Sequence, residues 1–193
     1  MKKVVLLLVS ILASNCVAQE VDLDSLQLPD GFSISVYAEI ENPRQLALGS
    51  DNTVYVGSLR GRVWAITNPD GNAQSGEVVA VAEGLNTPNG VAYYEGDLYI
   101  GEIGRVSKIA DIGEKLNAPQ PTETINDALP SRRHHGFKFL QVGPDEKIYL
   151  PVGAPCNVCE VDELFATILN MNLDGSDLQI VANGVRNSVG FDF

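Results

Sequence analysis

Histidine is almost missing from this chain. Its two imidazoles, His134 and His135, stand side by side. Basic residues are scarce too: 13 Lys and Arg face 25 Asp and Glu, a net charge of −12. A surface that acidic repels phosphate backbones, so nucleic acid is excluded as a partner, and a neutral small molecule or a cation suits it better. No long stretch keeps a helical period. No apolar run approaches the ~20 residues of a membrane-spanning helix. Charged residues are nevertheless 20% and hydrophobic ones 45% of the chain, which is a globular composition and not a disordered one.

Cysteine occurs three times. The first, Cys16, lies in MKKVVLLLVSILASNCVAQE. That segment begins on Lys2 and Lys3, runs apolar from Val4 to Ala13 and sets Ala18 before Gln19. The pattern is that of an export signal, residues 1–18, cleaved after Ala18. The mature chain, 19–193, is then periplasmic or secreted. With only about 10 apolar residues the signal is too short to span a bilayer, so no stable membrane span is expected. Loss of Lys2 and Lys3 takes the net charge from −12 to −14.

Cys16 leaves with the signal. Cys156 and Cys159 of PCNVCE remain, and an even pair in an exported chain reads as a local disulfide. Glu160 stands where covalent haem attachment needs a histidine. No further cysteine exists to complete a zinc site.

What the chain does have is short strands. TVYVGS, RVWAIT, EVVAVA, GVAYY, DLYIGE, KIYLPVG and ATILNMNL are rich in β-branched and aromatic residues, and SISVYAEI alternates. Glu95-Gly96, Gly143-Pro144-Asp145 and Asp174-Gly175 punctuate them as turns. The strands repeat. PRQLALGSDNTVYVGS, PNGVAYYEGDLYIGE and GFKFLQVGPDEKIYLPVG each hold a strand, a turn and a strand with tyrosine second. These tyrosines are Tyr55, Tyr99 and Tyr149. AEGLNTPNGVAY (82–93) and ANGVRNSVGFDF (182–193) align without a gap. A repeat of this length with several strands per unit predicts an all-β fold, the β-propeller. About three and a half blades are present. Propellers close with at least four, so the chain reads as the N-terminal part of a longer one, truncated at its C-terminus.

The repeat supplies a register. Five residues before Leu46, Val91, Leu140 and Phe191 stand Glu41, Asn86, His135 and Arg186. Equivalent register predicts that these four share one mouth of the central channel, where loops of several blades converge on a site. The connection from Asp111 to Arg133 is far longer than the usual ~4–6 residues and ends on the histidines, as a wall or lid of a site would. Arg132 and Arg133 favour the neutral imidazole that a general base requires. A shared metal is disfavoured, because adjacent strand residues point to opposite sides.

RHHGFKFLQVGPDEKIYLPVGAPCNVCE, GVRNSVGFDF and LPDGFSISVYAE resemble the glucose/sorbosone dehydrogenase family of soluble PQQ-dependent quinoproteins, and within it the L-sorbosone dehydrogenase-like branch. The resemblance runs from about Leu28 to Phe193. It implies a six-bladed propeller with PQQ at the top of the channel and Ca²⁺ assisting, the calcium ligands lying beyond residue 193. It implies His135 as general base, eight residues before the glycine of Gly143-Pro144-Asp145. It implies Arg186 and Asn187 as cofactor contacts and sets His134 beside the substrate; Asn86, from the repeat register, is the other candidate for the substrate pocket. The reaction implied is oxidation of a sugar or sugar aldehyde by hydride transfer to the quinone, electrons passing on to an unidentified acceptor. His134 stands where glucose-oxidising members carry aspartate, which speaks against glucose itself. Two other readings fit a secreted propeller. One is a non-catalytic propeller that binds protein or glycan. The other is a lactonase-type hydrolase built on a central metal, to which Glu41 and Asn86 would contribute.

Overall fold

The computed structural model describes residues 22–68, 70–72 and 76–193, so the expected export signal lies outside the described residues. The chain divides into two compact units, Met1–Val36 and Tyr37–Phe193. The described part of the first holds one short 3-10 turn, Leu23–Ser25.

The second unit consists of three antiparallel sheets of four strands each. The first contains β1 (Pro43–Leu48), β2 (Val54–Ser58), β3 (Val63–Ile66) and β4 (Val78–Ala82). The second contains β5 (Gly90–Tyr94), β6 (Asp97–Glu102), β7 (Arg105–Ile109) and β8 (Glu123–Asn126). The third contains β9 (Gln141–Val142), β10 (Lys147–Val152), β11 (Thr167–Asn172) and β12 (Gln179–Asn183). Every sheet is a meander in chain order, which is the propeller blade. Local chemistry drives the meander. The β5–β6 hairpin closes on Glu95 and Gly96, both at positive φ (47° and 95°). Such two-residue turns match the twist of the strands they join.

Each blade hides its faces against its neighbours. Tyr55, Val63, Ala65 and Val81 of the first blade meet Val91, Leu98, Ile100 and Ile109 of the second in one apolar layer. Ala92, Tyr99 and Val106 of the second meet Leu140 and Ile148, Leu150, Leu169 and Met171 of the third in another. Full burial of each large aliphatic side chain contributes about 1.5–3 kcal/mol. The repeating tyrosines Tyr55, Tyr99 and Tyr149 fall on the second strand of each blade. Between blades the backbones approach closely. A Cβ on Gly101 would lie 3.0 Å from Lys138 Cβ and from Leu140 Cγ.

Three expectations change. Residues 33–40 alternate like a strand but form none, because alternation marks a face to bury, and a strand also needs a backbone partner. The long connection from Asp111 to Arg133 is not all loop: it contains β8, the outer strand of the second blade, paired to β7. The fourth repeat, from Gly184, adds no strand among the described residues. It runs beside the third blade instead. Phe191 packs edge-on to Phe139 and Phe193 to Tyr149, and Gln141 Nε2 donates to Asp192 Oδ1 at 2.8 Å.

Candidate functional site

The two histidines sit in a turn and not on a strand. Gly136 N–H donates to Arg133 O at 3.0 Å, and His135 holds a left-handed backbone with φ of 50°. Left-handed non-glycine residues are sparse, and they gather where surrounding structure overrides the local cost. The turn overturns the expected divergence of the two rings. Their centroids are 4.0 Å apart at 54°, with His134 exposed and His135 half-buried.

His135 is fixed from the far side by the segment that follows β10. Its Nδ1 lies 2.9 Å from Ala154 O. A carbonyl oxygen only accepts, so Nδ1 carries the proton, and in the neutral ring Nε2 is the acceptor. Ala154 N–H in turn donates to Arg186 O at 2.8 Å. Gly153 fits between the two segments only without a side chain, since a Cβ would sit 2.5 Å from His135 Cβ and 2.9 Å from Asn187 Oδ1. One residue pair, Gly153-Ala154, thus locks the histidine turn to the Arg186-Asn187 segment.

His135 and Asn187 line a cleft of about 730 Å³, within the range of small-molecule sites. Arg44 and Arg133 bring positive charge to it, Phe137 and Phe139 bring aromatic faces, and Gln45 and Asn89 bring amides. The Arg44 guanidinium lies 5.5 Å above the Phe137 ring, and its Nε donates to Asn89 Oδ1 at 3.1 Å. The cleft is therefore cationic in a strongly acidic chain. A planar anion with aromatic character matches that lining.

Gln45 ties the blades together beneath this cleft. Its Oε1 accepts from Leu140 N–H at 2.9 Å and Val91 N–H at 3.3 Å, and its Nε2 donates to Leu140 O at 2.6 Å. One side chain on β1 thus bonds β5 and the approach to β9. Asn89 Nδ2 adds a bond to Lys138 O at 3.1 Å. Lys138 alternates with the two cleft phenylalanines and is 1% exposed. Its Nζ donates to Gly136 O at 2.7 Å, at the foot of the histidine turn. Burial pushes this ammonium down to about 8.

The remaining expected residues lie apart from the cleft lining. Asn86 Nδ2 donates to Ile103 O at 3.1 Å, and its backbone N–H donates to Glu102 Oε2 at 2.6 Å. Glu102 is fully buried and takes both oxygens to Arg105. Asn86 therefore caps a structural charge pair and does not face the pocket expected of it. Glu41 is exposed and pairs with Arg60 at 3.1 Å. Arg186 Nη2 donates to Asn157 Oδ1 at 2.6 Å, outside the cleft lining. Cys156 and Cys159 are joined, their Cα atoms 6.1 Å apart. Among the described residues no group of three or more His, Cys, Asp or Glu is placed to hold a metal ion.

Sequence reasoning missed Arg44, Gln45, Asn89, Phe137 and Phe139. The signal lay in the same register: these residues stand one to three positions before Leu46, Val91 and Leu140, nearer the inner strands than the position counted.

No protein-family model matches the chain. An uncharacterized protein of Borreliella burgdorferi is 27% identical over 195 residues, which cover 95% of this chain and 50% of that protein. The chain thus spans about half the length of the curated relative it matches. Among solved structures it is similar to the holo PQQ domain of pyranose dehydrogenase from Coprinopsis cinerea, with a TM-score of 0.66 and 17% identity over 78% of this chain and 41% of that one. It is also similar to the PQQ-bound aldose sugar dehydrogenase of Streptomyces coelicolor, with a TM-score of 0.51 and 18% identity over 74% and 48%. A putative glucose dehydrogenase of Thermus thermophilus gives 0.51 and 20% identity over 71% and 46%. At these identities the likeness is one of fold: the second unit of this chain is built from β-propeller blades.

Proposed function

We propose that the protein is the N-terminal part of an exported PQQ-dependent dehydrogenase that oxidises a sugar or sugar aldehyde, sorbosone-like in its branch, with His135 as general base. The observation that carries the reading is the Ala154–His135 bond. It holds the proton on Nδ1 and leaves Nε2 as the ring's acceptor, and the residue lines a cleft of cations and aromatic rings.

The residues fit the cofactor's chemistry. PQQ is a flat aromatic o-quinone with three carboxylates, and when bound it supplies the hydride acceptor. Arg44, Arg133 and Asn187 would hold its carboxylates, and Phe137 or Phe139 its plane. Arg186 stands one residue from Asn187; its side chain is held by Asn157 outside the cleft lining and would contact the cofactor from the rim. His135 Nε2 would take the proton from the reacting hydroxyl, or from a hydrated aldehyde, as hydride leaves carbon. His134, ring to ring with His135, would bound the substrate side of the pocket. The likeness to the two PQQ-holding structures, the pyranose dehydrogenase domain and the aldose sugar dehydrogenase, supports this reading on the side of the cofactor.

The test is reconstitution of the full-length protein with PQQ and Ca²⁺, since this part alone is expected to be inactive, followed by reduction of an artificial dye with sorbosone and with aldoses. His135→Ala should lower turnover by about 10²–10⁴-fold while PQQ still binds. Unchanged turnover would remove His135 from the mechanism. Absence of PQQ binding would remove the assignment.

A further inference from the structure

We infer that Asn157 is a positioning residue for Arg186, and that the Cys156–Cys159 disulfide is what keeps it in place. The inference rests on the proposed function for its consequence, and on geometry for its substance. Arg186 is exposed and lies at the start of a segment without secondary structure. A long cationic side chain there samples many rotamers, and fixing one costs free energy at the moment a ligand binds. Two contacts reduce that freedom. Ala154 N–H holds the Arg186 backbone oxygen. Asn157 Oδ1 accepts from Nη2 at 2.6 Å, a short bond to a charged donor. Both partners come from one stretch of six residues, Ala154 to Cys159. The same stretch supplies the carbonyl that sets the His135 tautomer.

That stretch has little else to hold it. Asn157, Val158 and Cys159 are exposed, Val158 at 96%. No regular structure spans 153–166. The disulfide closes it into a small ring with Asn157 inside the ring, next to Cys156. A closed ring of this size leaves Asn157 few backbone conformations. The guanidinium keeps its remaining N–H donors for an anion, and its rotamer is restrained by Asn157. The cysteine pair thereby acts through Asn157 on Arg186, and its loss would loosen an arginine 27 residues away in sequence.

The test reads Arg186 directly. In ¹⁵N-labelled protein, the Arg186 side-chain N–H resonance is assigned by its disappearance in Arg186→Lys. It should show slowed rotation and exchange in the oxidised protein, lose both in Asn157→Ala and regain them in Asn157→Asp, which keeps an acceptor. Dithiothreitol should reproduce the alanine result. Two electrons and two protons pass from the reagent to the disulfide, giving two thiols, and the reagent leaves as its cyclic disulfide. Reduction in the folded protein avoids a cysteine variant that fails to fold. PQQ affinity, followed by absorbance, should fall about 10-fold in Asn157→Ala and recover in Asn157→Asp. An Arg186 resonance unmoved by Asn157→Ala overturns the inference. A resonance unmoved by reduction overturns the disulfide's part in it. If the wild-type chain binds no PQQ while the resonance behaves as expected, the positioning stands and the proposed function falls.

Discussion

Replacing Lys138 with methionine should make the protein more stable at neutral pH and less stable in alkali. Lys138 is 1% exposed, and its Nζ has a single described partner, Gly136 O. Burial lowers its ammonium from the ordinary 10.5 to about 8. The unfolded chain therefore holds this proton more tightly than the folded one. Below about pH 8 both states are charged, and folding carries the full desolvation penalty of about 3 kcal/mol. Between pH 8 and 10.5 the folded state has released its proton and the unfolded state has not, so stability rises with pH. Methionine has similar volume and no charge, but it strands the Gly136 carbonyl at about 1–2 kcal/mol. The net at pH 7 is a gain of about 1–2 kcal/mol for Lys138→Met. That gain should shrink by about 2–3 kcal/mol and change sign by about pH 10. Urea denaturation of both proteins, followed by far-ultraviolet circular dichroism at several pH values, measures the difference directly. Tyrosine ionisation is common to both proteins and cancels. A stability difference that stays flat with pH would show that Lys138 titrates normally, and the burial argument would be wrong.

Three further changes probe the frame around the cleft. Gly153→Ala places a Cβ 2.5 Å from His135 Cβ and 2.9 Å from Asn187 Oδ1; it should cost about 1–3 kcal/mol in urea and shift the His135 ¹⁵N resonances, whereas unshifted resonances would mean the seam yields elsewhere. Gln45→Leu keeps the side chain's size but strands Leu140 N–H and O and Val91 N–H, and should cost about 2–4 kcal/mol by chemical denaturation, with a loss under about 0.5 refuting its bridging role. Tyr55→Phe should raise stability by about 1 kcal/mol in the same assay, because the buried Tyr55 hydroxyl has no hydrogen-bond partner among the described residues, and a fall would reveal one.

The fold was readable because a blade leaves the same trace each time it recurs. Tyr55 and Tyr99 are buried between blades, and the strands that carry them are apolar on both faces. Covered blades need that pattern, and it repeats on the page. Two readings failed for the opposite reason. ETIN of β8 is polar and short, since an outer strand covers little, so composition alone hid it in a loop. SISVYAEI looks like a strand because alternation is local, while pairing is a property of a distant edge.

The candidate site divides along the same line. His135 was legible because imidazole is rare here and its turn sits at a marked register. Gln45 was not, because a lone glutamine in a strand says nothing until β5 and the approach to β9 converge on it. The structure changes the basis on which His135 is chosen over His134. Their rings touch, so direction along a strand does not separate them. What does is Ala154. It binds one ring and not the other, and binds Arg186 through its own N–H. The proposed base is set apart by the group that holds its far nitrogen, and that group stands 19 residues further along the chain, where no local motif records it.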